Sequence, residues 1–113
     1  FSYKAIGKQT FVIDLNPKCY VDLIAPARTF GFKDQFQQLG ELGLIKGGSL
    51  ENALVCDGDN WVNPPLRFAN EPIRHKILDL IGDLALVGLP KAQIIVYKGS
   101  HSLNALLASS LKI

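Results

Sequence analysis

The run Asn70-Glu71-Pro72-Ile73-Arg74-His75-Lys76-Ile77-Leu78-Asp79-Leu80-Ile81-Gly82-Asp83-Leu84 constrains the fold of this chain more than any other stretch. Pro72 suits the first turn of a helix, where its missing N–H costs nothing, and Asn70 stands where a cap belongs. Ile73, Ile77, Leu80, Ile81, Leu84 and Val87 recur at helical spacing, so the pattern predicts a helix over 72–88 with one apolar side. His75, Asp79 and Asp83 follow one another at i, i+4 and i+8 and form a second stripe, roughly opposite the first. Neighbours in such a stripe have Cβ atoms about 5–6 Å apart. An imidazole nitrogen and a carboxylate oxygen can then converge on one divalent ion. A solvated helix face with an incidental histidine has the same pattern. Leu78, Ala85 and Leu86 flank the stripe and Lys76 is its one near cation, which is unlike a merely charge-laced surface helix. The residues alone leave both readings open.

A chain of 113 residues holds one domain with a single core, small for a complete enzyme with its own cleft. Its net charge of +2 is too slight for a nucleic-acid partner. No apolar run approaches the roughly 20 residues of a membrane span, and nothing in these residues reads as a signal peptide. Cys19 and Cys56 lack metal spacing and read as reduced, buried small hydrophobes, which fits a reducing compartment. The chain opens on Phe1-Ser2-Tyr3 without a methionine and reads as a piece of something longer.

In chain order, residues 8–15 alternate like a strand, with Phe11 and Ile13 on one face. Asn16-Pro17 opens a helix whose apolar side carries Tyr20, Val21, Leu23 and Ile24, and Pro26 ends it. Residues 33–42 predict a short helix with Phe36 and Leu39 on one face, and 53–56 a short strand. Gly47-Gly48-Ser49 lacks the spacing of a phosphate-binding loop. Asp57 to Asn60 is a turn and Asn63-Pro64-Pro65 a rigid connection. After Gly88-Leu89-Pro90, residues 93–98 read as a buried strand. Residues 102–111 read as a final helix with Leu103, Leu106, Leu107 and Leu111 inward. His101 therefore falls where a strand ends and a helix begins. The fold class expected is α/β, an α+β two-layer sandwich. Its small sheet is covered on one side by the 72–88 and 102–111 helices, and a βαβ unit over about 28–57 projects from it.

The letters say more in combination. Ala27-Arg28-Thr29-Phe30-Gly31-Phe32, Lys46-Gly47-Gly48-Ser49-Leu50-Glu51-Asn52-Ala53, Leu66-Arg67-Phe68, Arg74-His75-Lys76 with Asp79, and His101-Ser102-Leu103-Asn104 occur in this order. The series resembles the second half of the LpxC family, the zinc-dependent UDP-3-O-acyl-N-acetylglucosamine deacetylases of lipid A synthesis. The resemblance covers nearly the whole chain. Two departures stand out. Pro65 directly precedes Leu66 where the family pattern has a glycine and one more residue, and Gly99-Ser100 stands where Ser-Gly or Gly-Gly is usual.

The resemblance implies a metal-assisted amide hydrolysis. His75 and Asp79 become two of three Zn²⁺ ligands, with Thr29 bonding the oxyanion. His101 becomes the cation that protonates the leaving nitrogen, Asp83 the acid that orients it, and Lys76 a substrate-contacting lysine. Phe30, Phe36, Leu39, Gly48 and Leu50 become the wall of an acyl-chain passage, where ordinary core packing is the alternative. The third zinc ligand and a glutamate base belong to the absent N-terminal domain, so residues 1–113 are expected to be half an active site, inactive alone. The implied partners are the UDP-linked acylated glucosamine substrate and that missing domain. The implied setting is the bacterial cytoplasm, or an organelle for a plant-type homologue. The competing possibilities are a non-catalytic binding or interaction module that keeps the fold, and a small α/β structural domain with a polar surface stripe.

Overall fold

The structure, a computed structural model of the chain, describes residues 1, 5–41 and 51–111, with side chains for all of these except 39–41. The element order is α1 (Pro17–Cys19) running into a π-helical turn (Tyr20–Ile24), β1 (Thr29–Phe32), α2 (Lys33–Glu41), β2 (Ala53–Asp57), β3 (Asn60–Trp61), α3 (Glu71–Ala85) and α4 (His101–Leu111). A three-stranded mixed sheet with helices is an α+β fold, the class expected.

The sheet has the order β1-β2-β3. β1 runs parallel to β2 in the register Thr29↔Ala53 to Phe32↔Cys56, with α2 in the connection. β3 returns antiparallel through the turn at Gly58, whose φ of +65° suits a residue without Cβ. Beyond β3 the Asn63 side chain serves β2 as a strand would. Its Oδ1 accepts from the Val55 N–H at 3.0 Å and its Nδ2 donates to the Ala53 carbonyl at 2.7 Å. With both edges satisfied, the four residues Ala53 to Cys56 are all buried. The fully buried apolar side chains come from this strand (Leu54, Cys56), the π turn (Ile24) and α3 (Leu84). Each fully buried aliphatic side chain there contributes about 1.5–3 kcal/mol.

Helix α1 starts as its letters predict, with Asn16 Oδ1 accepting the Cys19 N–H at 2.9 Å ahead of Pro17. Helix α3 carries Pro72 in its first turn, but Asn70 does not cap it through its side chain. Asn70 Oδ1 instead accepts from Arg74 Nε at 2.7 Å, and the open N–H of Ile73 is taken by Gln9 Oε1 at 3.1 Å. The helix closes at Ala85 rather than 88, because the chain passes through Gly88 at φ +97°. α3 touches β1, the π turn and α4, whereas α4 touches α3 alone among the described elements. The expected covering of the sheet by both helices thus reduces to α3.

Three expectations differ from the structure. Residues 8–15 form no strand; Gln9 caps α3 and the Phe11 ring stacks on Arg74 at 4.6 Å. Residues 93–98 form no strand either, with Ile95 89% and Tyr97 80% exposed. In both places the alternation is real, but among the described residues no neighbouring strand offers its N–H and C=O groups. Helix α4 buries Asn104 and Ala108, while Leu103, Leu106 and Leu111 face outward. Among the described residues no helix is long and apolar enough to cross a membrane. Both cysteines are free, Cys56 buried with its thiol pushed up by burial and Cys19 half-buried.

Candidate active site

The stripe on α3 does face other chemistry-bearing groups. His75 Nδ1 lies 3.0 Å from the Ala27 carbonyl oxygen, which only accepts, so Nδ1 carries a hydrogen. His75 Nε2 is then left facing Asp79 Oδ1 at 3.3 Å. Two lone-pair atoms at this separation repel unless a proton or a cation lies between them. Burial opposes charge on His75, but the Asp79 carboxylate and the Ala27 carbonyl outweigh it and raise the pKa above its ordinary value. A metal ion satisfies the same pair of atoms, and imidazole nitrogen with carboxylate oxygen is a donor set suited to Zn²⁺. Among the described residues no third histidine, cysteine or acid completes a metal-binding group.

His101 is the first residue of α4 and comes down on the same stripe. Its Nδ1 meets Asp83 Oδ2 at 2.7 Å, and its Nε2 lies 3.8 Å from Asp79 Oδ2. Asn104, one turn further along α4, donates from Nδ2 to the same Asp83 oxygen at 3.0 Å. The bonds from Asn104 and His101 together hold the Asp83 carboxyl below its usual range. Asp79 and Asp83 are thereby different, although one helical turn apart. Asp83 Oδ2 is occupied by two donors, while Asp79 Oδ1 has His75 Nε2 opposite it at 3.3 Å. Asn104 lies in the His101-Ser102-Leu103-Asn104 stretch, but the leucines of α4 point the sequence reading to another face, so nothing in the letters singles it out.

The exchange to Gly99-Ser100 also has a local explanation. Ser100 Oγ accepts the Leu103 N–H at 3.2 Å and so caps α4 directly before His101. A Cβ at Gly99 would lie 2.7 Å from Val96 Cγ1, so any other residue there would have to displace that side chain. Replacing Ser100 by Ala should cost about 1 kcal/mol, and by Gly only a few tenths, as read from urea unfolding midpoints.

The remaining predicted residues are placed as follows. Thr29 is exposed at the start of β1, between Ala27 and Phe30, both of which touch His75. The Phe30 ring packs edge-on to His75 at 6.4 Å and to Phe1 at 5.4 Å, and Lys76 Nζ lies 5.7 Å from its centroid. Phe36 is half-buried and its ring seats over Gly31, where an added Cβ would meet it at 3.1 Å. Gly48, Leu50 and the side chain of Leu39 lie outside the described residues.

One residue of consequence was missed. Glu71 is fully buried and accepts from the Arg28 N–H and Nε, both at 2.8 Å, from Arg28 Nη2 at 3.1 Å and from the Arg67 N–H at 2.7 Å. It ties two of the blocks noted in the sequence, those of Arg28 and Arg67, to the start of α3. The available signal was two arginines in those blocks with no acid assigned to them.

The profile of the family described as LpxC, UDP-3-O-acyl N-acetylglycosamine deacetylase, matches residues 1–112. The chain belongs to this family. It is 54% identical over 112 residues to the UDP-3-O-acyl-N-acetylglucosamine deacetylase of Synechocystis, covering 98% of this chain and 41% of that protein. A Nostoc protein of the same name is 54% identical over 115 residues, with the same two coverages. A protein of Arabidopsis thaliana, named probable UDP-3-O-acyl-N-acetylglucosamine deacetylase 1, mitochondrial, is 48% identical over 98% of this chain and 33% of its own length. The chain thus spans about two fifths or less of the curated relatives it matches.

Proposed function

We propose that this chain supplies the second half of the active site of a zinc-dependent UDP-3-O-acyl-N-acetylglucosamine deacetylase in lipid A synthesis. The observation that carries the reading is the His75 Nε2–Asp79 Oδ1 pair, aimed at each other with Nδ1 tied back to Ala27. His75 and Asp79 hold Zn²⁺, and the third ligand and the general base come from an N-terminal domain. Zinc held there polarises the amide carbonyl and acidifies water. Thr29, at the head of β1, donates to the oxyanion that forms at the attacked carbonyl, a role worth about 3 kcal/mol in comparable sites. His101, oriented by Asp83 and Asn104, delivers a proton to the leaving nitrogen. Lys76 meets sugar or diphosphate oxygens. The unit over 28–57, with Phe30, Phe36, Leu39, Gly48 and Leu50, walls the acyl chain. The setting proposed is the bacterial cytoplasm or, as the name of the plant relative reads, an organelle.

The isolated 113-residue chain should bind Zn²⁺ weakly and release no acetate from the UDP-linked acylated glucosamine. Joined to the N-terminal domain of a relative, it should release acetate in proportion to bound zinc. Full activity of residues 1–113 alone would overturn this assignment of roles. Inactivity of the zinc-loaded joined protein would favour the non-catalytic module.

A further inference from the structure

The Ala27–Arg28 peptide group is held at both ends by one face of α3. Its N–H, on Arg28, donates to Glu71 Oε2 at 2.8 Å, and its C=O, on Ala27, accepts from His75 Nδ1 at 3.0 Å. In a trans peptide these two groups point in opposite directions from one rigid plane. Glu71 and His75 are i and i+4 on the helix, so one helical turn spans both ends of that plane. Glu71 is the only fully buried charged side chain among the described residues, and every partner it has is a donor. A guanidinium alone would satisfy it as an ion pair. The extra bond to the Arg28 backbone is what stops the peptide plane from turning.

We propose that Glu71 is a positioning residue: it clamps the Ala27–Arg28 peptide so that the Ala27 carbonyl fixes the His75 ring in the Nδ1–H tautomer, with Nε2 presented to Asp79. Without the clamp the peptide can rotate, and the ring is free to take the Nε2–H form, which places a hydrogen where a cation would bind. Thr29 follows directly on the clamped peptide, so its place at the head of β1 depends on the same bond. The consequence for metal binding rests on the reading of His75 and Asp79 as ligands; the tautomer does not.

The chain has two histidines, so their ring nitrogens are resolved in a long-range ¹H–¹⁵N spectrum of the metal-free protein at alkaline pH. Unmodified His75 should show the Nδ1–H tautomer, and the Arg28 amide should exchange slowly with solvent. An Nε2–H tautomer in the unmodified chain would overturn the proposal, whatever the variants do. Glu71→Gln turns an NH₂ toward two donors and should move His75 toward the Nε2–H form. Zn²⁺ titrated into the same sample should then bind 10–100-fold more weakly. Arg28→Lys removes the guanidinium bonds but keeps the backbone N–H, so it should lower stability while leaving tautomer and zinc affinity unchanged within about twofold. Equal loss of zinc affinity in the two variants, or an unmoved tautomer in Glu71→Gln, would reduce Glu71 to a packing role. A tautomer that responds in a chain whose zinc affinity does not would keep the clamp and sink the ligand reading.

Discussion

Replacing Asp79 by Ala is expected, on the proposed roles, to strip zinc from the chain joined to a relative's N-terminal domain, while replacing Asp83 by Ala leaves it loaded. The two acids are identical in type and one helical turn apart, so only position separates them. Asp79 Oδ1 faces His75 Nε2 at 3.3 Å, as two ligands of one ion would. Asp83 Oδ2 already accepts from His101 Nδ1 at 2.7 Å and from Asn104 at 3.0 Å. Its loss should free the His101 ring, which is two-thirds exposed and has little else to hold it. Metal content per chain should therefore fall below one tenth in Asp79→Ala and stay near that of the parent protein in Asp83→Ala. The rate should drop roughly 10²-fold or more in both, the scale of a misplaced proton-transfer group in the second case. Equal zinc loss in the two variants would mean their roles are misassigned.

How far the letters led depended on whether a residue's partner was local. Asn16 before Pro17 and Pro72 in the first turn of α3 act within one helical turn, so their spacing is their structure. The β1–α2–β2 segment was similarly readable. The 93–98 run was not, because alternation says which side chains prefer burial and nothing about whether a second strand lies alongside. Helix α4 shows the same limit. It carries four leucines, yet Asn104 and Ala108 are its buried residues, and Asn104 makes the Asp83 bond. In the site, His75, Asp79, Asp83 and His101 could be grouped by helical spacing and by resemblance. Glu71 could not, since its partners are 43 residues back and 4 residues back, and a glutamate in a first helical turn is ordinary.

Removing the Arg28 side chain should be among the most destabilising single changes in the chain. Glu71 is held in the interior as a carboxylate by four donors, three of them from Arg28. Burial alone would raise its pKa, but the Arg28 and Arg67 bonds overcome that and hold it below the usual carboxylate value. In Arg28→Ala the buried charge keeps only backbone partners, and breaking such a pair costs about 3–5 kcal/mol, against a typical total of about 5–15 kcal/mol. The sign with pH follows from the lowered pKa. The Glu71 contribution is fully present above the unfolded value of about 4.3 and is lost as pH falls through the folded value. The native protein should therefore lose stability below about pH 5. The variant should lose less over the same range, since its Glu71 has little depression left to give up. Urea unfolding at pH 7 and at pH 4 reads both effects: the gap between native and variant should be widest at neutral pH and narrow in acid. A gap that is constant with pH would mean that Arg28 contributes through its packing and its bond to the Pro65 carbonyl rather than through the Glu71 charge.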